Sequence, residues 1–228
     1  MHNVDRRALI ATAAALPLLS LPMAGCSSMG GFSLVEAIRR LLEVSSQRAF
    51  ATLLQPGGFY DSQVARIALP GAFARGGGIL SALLSTSTVR DRLSRALNGF
   101  AEKGAERAAP VVAEAIRGMS VADAVSIIRG GSSAATTALE GQIGTGLINA
   151  MFPAVGDALR LANNDLVAQA LRAATGYDVA SLARDVTDGA NRGIWNAIGA
   201  EEAAIRANPQ ATNDPLLIGV FGLAGRSG

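Results

Sequence analysis

The only cysteine of the 228-residue chain, Cys26, follows an apolar stretch and two small residues. A thiolate is a strong nucleophile near neutral pH, so a cysteine at this position is suited to covalent modification. Before it, residues 1–25 carry the pair Arg6-Arg7, an apolar stretch from Ala8 to Leu21, and the small pair Ala24-Gly25. This order is that of an export signal peptide. The apolar stretch, at about fourteen residues, is shorter than the roughly twenty that a membrane-spanning helix needs.

Residues Leu21 to Cys26 resemble the bacterial lipoprotein box, in which an aliphatic residue and two small residues precede an obligatory cysteine. The resemblance implies that Cys26 carries a thioether-linked diacylglycerol and becomes the first residue of the mature chain. Two acyl chains anchor a protein stably, since each buried methylene contributes about 0.8 kcal/mol. Ser27 is not the aspartate linked to inner-membrane retention. We therefore expect an exported protein, anchored by lipid in the outer membrane and facing the periplasm.

Two alternatives stay open for this segment. The first is an ordinary export signal with an unpaired Cys26 near its end. The second concerns the export route, because Arg6-Arg7 followed by Ala8 and two apolar residues also resembles the twin-arginine motif.

The rest of the chain lacks the residue types that most catalytic and metal sites use. Removal of the signal peptide removes His2, the only histidine, and lipidation consumes the only thiol. This excludes triads built on histidine, histidine-ligated zinc and cysteine-ligated iron–sulfur clusters. We expect no catalytic residue, no metal and no cofactor. The formal charge is only +2 and no long run of like charge occurs, so no nucleic-acid partner is expected.

Two stretches have residue types suited to binding. Arg129-Gly130-Gly131-Ser132, with Thr136 beyond, lies between two predicted helices, where backbone amides beside an arginine could hold an anion. A glycine C-cap followed by a serine N-cap explains the same residues without a ligand. In the second stretch, Pro70 favours an extended conformation that could present Arg66 and Leu69 to a partner. Alternatively, it covers the end of a bundle, with Arg66 bonded to helix carbonyls.

Helical periodicity dominates the elements that must position these residues. Ser33 to Glu36 forms a capping box, and a helix is predicted from there to about Leu54. Further helices are predicted at about 73–84, 88–108, 120–129, 139–151, 154–161, 166–174, 185–208 and 214–221. Pro110 either starts a new helical piece or kinks the helix before it, and this piece runs to Arg117. The glycines at 141, 144 and 146 suggest that two helices press together there. Glu201-Glu202 is expected to form a solvated face.

No segment alternates with period two, so we predict an all-α protein: a single irregular multi-helix bundle domain that follows a signal peptide. The predicted organisation is a lipoprotein signal peptide at 1–25, a short tether at 26–32, an all-helical domain at 33–222 and a flexible tail at 223–228.

Three stretches resemble a bacterial family of predicted lipoproteins, the domain of unknown function 4197. They are ARIALPG (Ala65 to Gly71), AAPVVAEAIRGMSVADAVSIIRGGSSAATT (Ala108 to Thr137) and EEAAIRANPQATNDPLL (Glu201 to Leu217). Where the family usually has a proline, this chain has Ala68. The resemblance implies an all-helical fold and brings no assigned activity.

These observations favour a non-catalytic binding or scaffolding module, held to the membrane through the lipid on Cys26, with an envelope protein or glycan as partner. One alternative is an envelope hydrolase that uses carboxylate, serine or arginine chemistry, with Asp123, Asp157 or Asp165 as candidate carboxylates. Another is a carrier of an apolar ligand in a helical cavity. The oligomeric state stays open.

Overall fold

A computed structural model describes residues 33–75, 78, 82, 84–162, 164–174 and 177–224, and their regular structure is entirely helical. The predicted all-α class is therefore confirmed. The predicted signal peptide, Cys26, the tether and residues 225–228 of the predicted tail lie outside the described residues.

The helices are named here in chain order. They are α1 (Leu34–Leu53), α2 (Gly58–Asp61), α3 (Gly71–Arg75), α4 (Ser87–Arg117), α5 (Ala124–Arg129), α6 (Ala134–Ile143), α7 (Gly146–Leu161), α8 (Asp165–Ala173), α9 (Val179–Ala207) and α10 (Pro215–Ala224), with a 3-10 turn at Pro209–Thr212 between the last two.

The core lies among α1, α4, α7 and α9, in which α4 and α9 pack against each other and against both α1 and α7. On α1, Ile38, Leu41 and Leu42 recur at helical spacing and are fully buried. On α4, Gly104 lets α7 approach closely, because a Cβ there would lie 2.8 Å from Val155 Cγ2. The two helices therefore pack closely at this small residue.

Several helix boundaries differ from the prediction. The periodic stretch from 139 to 151 is two helices, because Gly144 adopts φ +56° and ends α6. No neighbouring element lies within 4 Å of where a Cβ would stand at Gly141 or Gly144, so the expectation of two helices pressed together there was wrong. Helix α9 begins after Asp178, whose side chain accepts a hydrogen bond from the Ser181 amide at 2.8 Å, and not at Asp185. Pro110 lies within the single helix α4.

Candidate functional site

Residues 66–70, named here the strap, contain neither helix nor turn. The proline at position 70 predicts an extended conformation for them. Burial alternates from Arg66 to Leu69: Arg66 and Ala68 are exposed, Ile67 is buried and Leu69 is half-buried. Pro70, which follows, is buried. Alternation with period two is the side-chain pattern of a β-strand lying on a surface. The strap therefore behaves as an isolated strand laid over helices.

The strap is held on one edge by Asn98 of α4, which is fully buried. The Asn98 side-chain oxygen accepts a hydrogen bond from the Ile67 amide at 2.8 Å, and its nitrogen donates to the Ile67 carbonyl at 3.0 Å. The same nitrogen also donates to the Ser94 carbonyl at 2.8 Å. One side chain thus replaces the neighbouring strand that a sheet would provide.

Two glycines of α9 let the strap lie directly on that helix. A Cβ at Gly189 would stand 2.7 Å from Ile67 Cγ2, and one at Gly193 would stand 2.7 Å from the Ala65 carbonyl oxygen. One turn further on, the Asn196 side chain donates a hydrogen bond to the Val64 carbonyl at 3.2 Å. Close backbone approach at these glycines fixes the position of the strap relative to α9.

A groove of about 360 Å³ runs between the strap and α9. Its lining includes Arg66, Leu69 and Pro70 from the strap side and Asp185, Arg192 and Asn196 from α9. Arg192 is exposed and makes no hydrogen bond or ion pair with any residue that the structure describes. Asp185, in contrast, accepts a hydrogen bond from the Tyr177 hydroxyl at 2.6 Å. The groove lining therefore holds two cations, Arg66 and Arg192, and one carboxylate, Asp185, so its formal charge is positive.

Burial and the Asp185 carboxylate together raise the pKa of Tyr177 far above its ordinary value. The Tyr177 hydroxyl accordingly stays protonated and keeps donating to Asp185 through the physiological pH range.

Arg66 stacks on an aromatic ring and not on helix carbonyls. Its guanidinium carbon lies 3.9 Å from the ring centroid of Tyr60, and that of Arg95 lies 4.0 Å from the same centroid. The Tyr60 hydroxyl donates to Asp91, which also pairs with Arg95 at 3.0 Å and with Arg66 at 4.0 Å. Tyr60 therefore holds Arg66 at the mouth of the groove.

The second predicted stretch, Arg129 to Thr136, has a different environment. At the start of α6, the amides of Ala135 and Thr136 donate to the Glu202 carboxylate at 3.0 and 2.7 Å, and the Thr136 hydroxyl donates to it at 2.7 Å. Glu202 is fully buried, so the expectation of a solvated Glu202 was wrong. The anion at this helix N-terminus is a carboxylate of the chain itself.

Arg206, one turn after Glu202 on α9, completes the arrangement. Its Nε donates to Glu202 at 2.8 Å, and its two terminal nitrogens donate to the carbonyls of Ile128 and Ile127 at 2.9 and 3.0 Å. Arg206 thereby caps the end of α5 while Glu202 caps the start of α6. The intervening residues Gly130, Gly131 and Ser132 are exposed, as is Arg129.

The family described as "Protein of unknown function (DUF4197)" matches residues 28–222. The chain belongs to the DUF4197 family. No curated protein and no solved structure matches the chain. In this DUF4197 domain, α9 contacts the strap through Gly189, the preceding residue Ala65 through Gly193, the first turn of α6 through Glu202, and the end of α5 through Arg206. One helix thus holds together the sequence stretches that carried the family resemblance.

The carboxylates considered for hydrolysis have separate roles in this DUF4197 domain. Asp123 accepts a hydrogen bond from the Ser126 amide at 2.9 Å and caps α5, while Asp165 lies exposed in the first turn of α8. Asp157 lines a groove of about 630 Å³ together with Glu106, and each pairs with a cation on its own helix. Within the described residues, no cluster of three or more metal-ligating side chains occurs.

The described part of the chain contains no helix that is both long enough and apolar enough to cross a bilayer.

Proposed function

We propose that this DUF4197 domain is held at a membrane by lipid on Cys26 and binds an envelope partner through the groove beside the strap. The binding role is supported by one observation above all: the groove combines exposed cations, Arg66 and Arg192, with main-chain groups of an extended segment. Extended segments and guanidinium groups both recognise other macromolecules by directional hydrogen bonds. The lipid anchor is supported by the order of residues 1–26.

Within this proposal, the two predicted stretches have different roles. Arg66, Leu69 and Pro70 line the groove and contact the partner. Thr136 is buried against Glu202 and positions the start of α6. The exposed residues of the second stretch are Arg129, Gly130, Gly131 and Ser132. They stay a predicted second contact, which the partner reaches if it extends past Gly199 of α9.

The anchor is tested by mass spectrometry of the native protein purified from membranes. We expect a mature chain that begins at Cys26 and carries the mass of a diacylglycerol on its sulfur. An unmodified thiol, or a chain that begins at another residue, would contradict the lipid-anchored location.

The binding role is tested by crosslinking and co-purification from intact envelopes. We expect Arg66→Ala and Arg192→Ala to lose proteins or glycans that the wild-type chain recovers. Arg172→Ala is the matched control, because Arg172 is also exposed and makes no ion pair with the described residues. Cys26→Ala gives the untethered control. Recovery of the wild-type set of envelope components by both Arg66→Ala and Arg192→Ala would remove the groove as the binding surface.

A further inference from the structure

One edge of the strap carries main-chain groups without hydrogen-bond partners. In an extended chain, successive residues direct their backbone groups to opposite edges, so the groups of Arg66 and Ala68 point away from those of Ile67. Asn98 occupies the Ile67 edge. On the opposite edge, the Arg66 carbonyl and both the amide and the carbonyl of Ala68 form no hydrogen bond with any described residue.

The groove lies along the strap on the α9 side, whereas Asn98 holds the strap from α4. The lining of the groove contains every strap residue on one side and Asp185, Arg192 and Asn196 of α9 on the other. A molecule in this groove would therefore meet a backbone donor and acceptor at Ala68 and an uncompensated cation at Arg192. Ala68 is exposed, and its amide and carbonyl make no hydrogen bond with the described residues.

We propose that the strap accepts an extended, acidic peptide segment of an envelope protein as an added β-strand, paired through Ala68. This inference rests on the proposed binding function and names the chemistry of its partner. A residue that presents both an amide and a carbonyl on one edge is matched by an opposing peptide residue that presents both in return. Acidic side chains on that peptide reach Arg192 and Arg66, which outnumber Asp185, the one carboxylate of the groove lining.

The test measures binding of synthetic peptides to the full-length, lipid-modified chain in detergent, by fluorescence anisotropy. The probe is a blocked peptide of alternating valine and glutamate, about six residues long, which matches an ordinary strand. Two further peptides carry N-methyl groups on alternate amides. One is methylated on every valine amide and the other on every glutamate amide, which gives the two registers. We expect one N-methylated register to bind at least about tenfold more weakly than the parent and the other to bind nearly as well, because only alternate amides face the strap.

Two variants of the protein test the same backbone contact by changing Ala68 instead of the peptide. Ala68→Pro removes the free amide, and we expect it to weaken peptide binding at least about tenfold. Ala68→Ser keeps the amide and serves as the matched control, with binding close to that of wild type. If Ala68→Pro unfolds in a thermal scan, the N-methylated peptides on the wild-type chain decide the question alone.

Equal weakening by both N-methylated registers, or undiminished binding by a folded Ala68→Pro variant, would overturn strand addition. Binding of an N-acetylglucosamine oligosaccharide without binding of the peptide would also overturn it. If no peptide binds while Arg66→Ala and Arg192→Ala still lose an envelope component, strand addition fails and the proposed function stands. If those variants lose nothing and no peptide binds, both fail.

Discussion

The Glu202 carboxylate accepts hydrogen bonds from both the backbone amide and the hydroxyl of Thr136, each at 2.7 Å, in a fully buried site. This contact joins residues 66 positions apart in the chain and fixes α6 to α9. Since Arg206 also pairs with Glu202 at 2.8 Å, the buried charge is compensated on both sides.

Glu202→Ala should destabilise the domain strongly. The substitution leaves the amides of Ala135 and Thr136 and the Arg206 guanidinium without a partner, and breaking a buried pair costs about 3–5 kcal/mol. The free energy of unfolding from urea titrations checks this. Glu201→Ala is the matched control: Glu201 pairs with Arg48 only at 4.0 Å, so we expect a change under about 0.5 kcal/mol. Equal effects of the two substitutions would contradict the assigned role of Glu202.

Gly193→Ala should displace the strap from α9. The new Cβ would stand 2.7 Å from the Ala65 carbonyl oxygen, which is backbone and cannot rotate away. We expect a loss of about 1–3 kcal/mol in the free energy of unfolding and weaker peptide binding, because the groove changes shape. Gly99→Ala on α4 is the control, since no atom lies within 4 Å of its Cβ position, and it should raise stability by about 1 kcal/mol. A stabilising Gly193→Ala would show that the strap does not lie on α9.

Asn98→Ala should release the inner edge of the strap. It leaves the amide and the carbonyl of Ile67 buried without partners, at about 1–3 kcal/mol each. Hydrogen exchange of the Ile67 amide should become faster in the same variant. Asn196→Ala, which removes a single bond to the Val64 carbonyl from an exposed position, should cost about 1 kcal/mol or less. Unchanged protection of Ile67 in Asn98→Ala would refute the pairing.

Asp214 gives the domain an acid-sensitive contact between α1 and α10. Desolvation by burial acts to raise the pKa of Asp214, but hydrogen bonds from Arg40 and from the Leu217 and Leu216 amides outweigh it, so the pKa lies below its ordinary value. A carboxyl group with a lowered folded-state pKa stabilises the fold above its unfolded pKa of about 3.9, and this stabilisation is lost as pH falls through the folded pKa.

Asp214→Asn should therefore cost about 1–2 kcal/mol at neutral pH and progressively less below about pH 4, where wild type loses the same contribution. Unfolding free energies of the two proteins across this range provide the measurement. Asp157→Asn is the control, because Asp157 forms an exposed pair with Arg160. A difference between wild type and Asp214→Asn that grows toward acid pH would be opposite in sign to the prediction.

The sequence alone predicts the all-α class, the start of α1 at Ser33 and the absence of helix in the strap, because each depends on local signals. Ser33 is followed by a capping pattern, and Pro70 disfavours helix in the residue before it. The partner of the strap was not predictable. Asn98 stands 31 positions away on a helix, and nothing in its neighbours marks it as buried.

The start of α9 and the environment of Glu202 show where local patterns fail. Asp178 and Asp185 are both plausible N-caps, and only the fold shows that Asp178 caps the helix while Asp185 bonds Tyr177. Glu202 follows Glu201 and precedes Arg206 at helical spacing, a pattern typical of a solvated face. Its burial depends on which side of α9 receives α6, and a one-dimensional pattern does not contain that information.

A photo-crosslinking amino acid in place of Ala68, in the lipid-modified chain within intact cells, tests the binding account most directly. Mass spectrometry of the crosslinked product identifies the partner segment. We predict attachment to an extended acidic segment of an envelope protein, loss of that product when Arg192→Ala is added, and no product when the crosslinker replaces Arg172. Attachment only to glycan or lipid, or the same products from positions 68 and 172, would contradict the account.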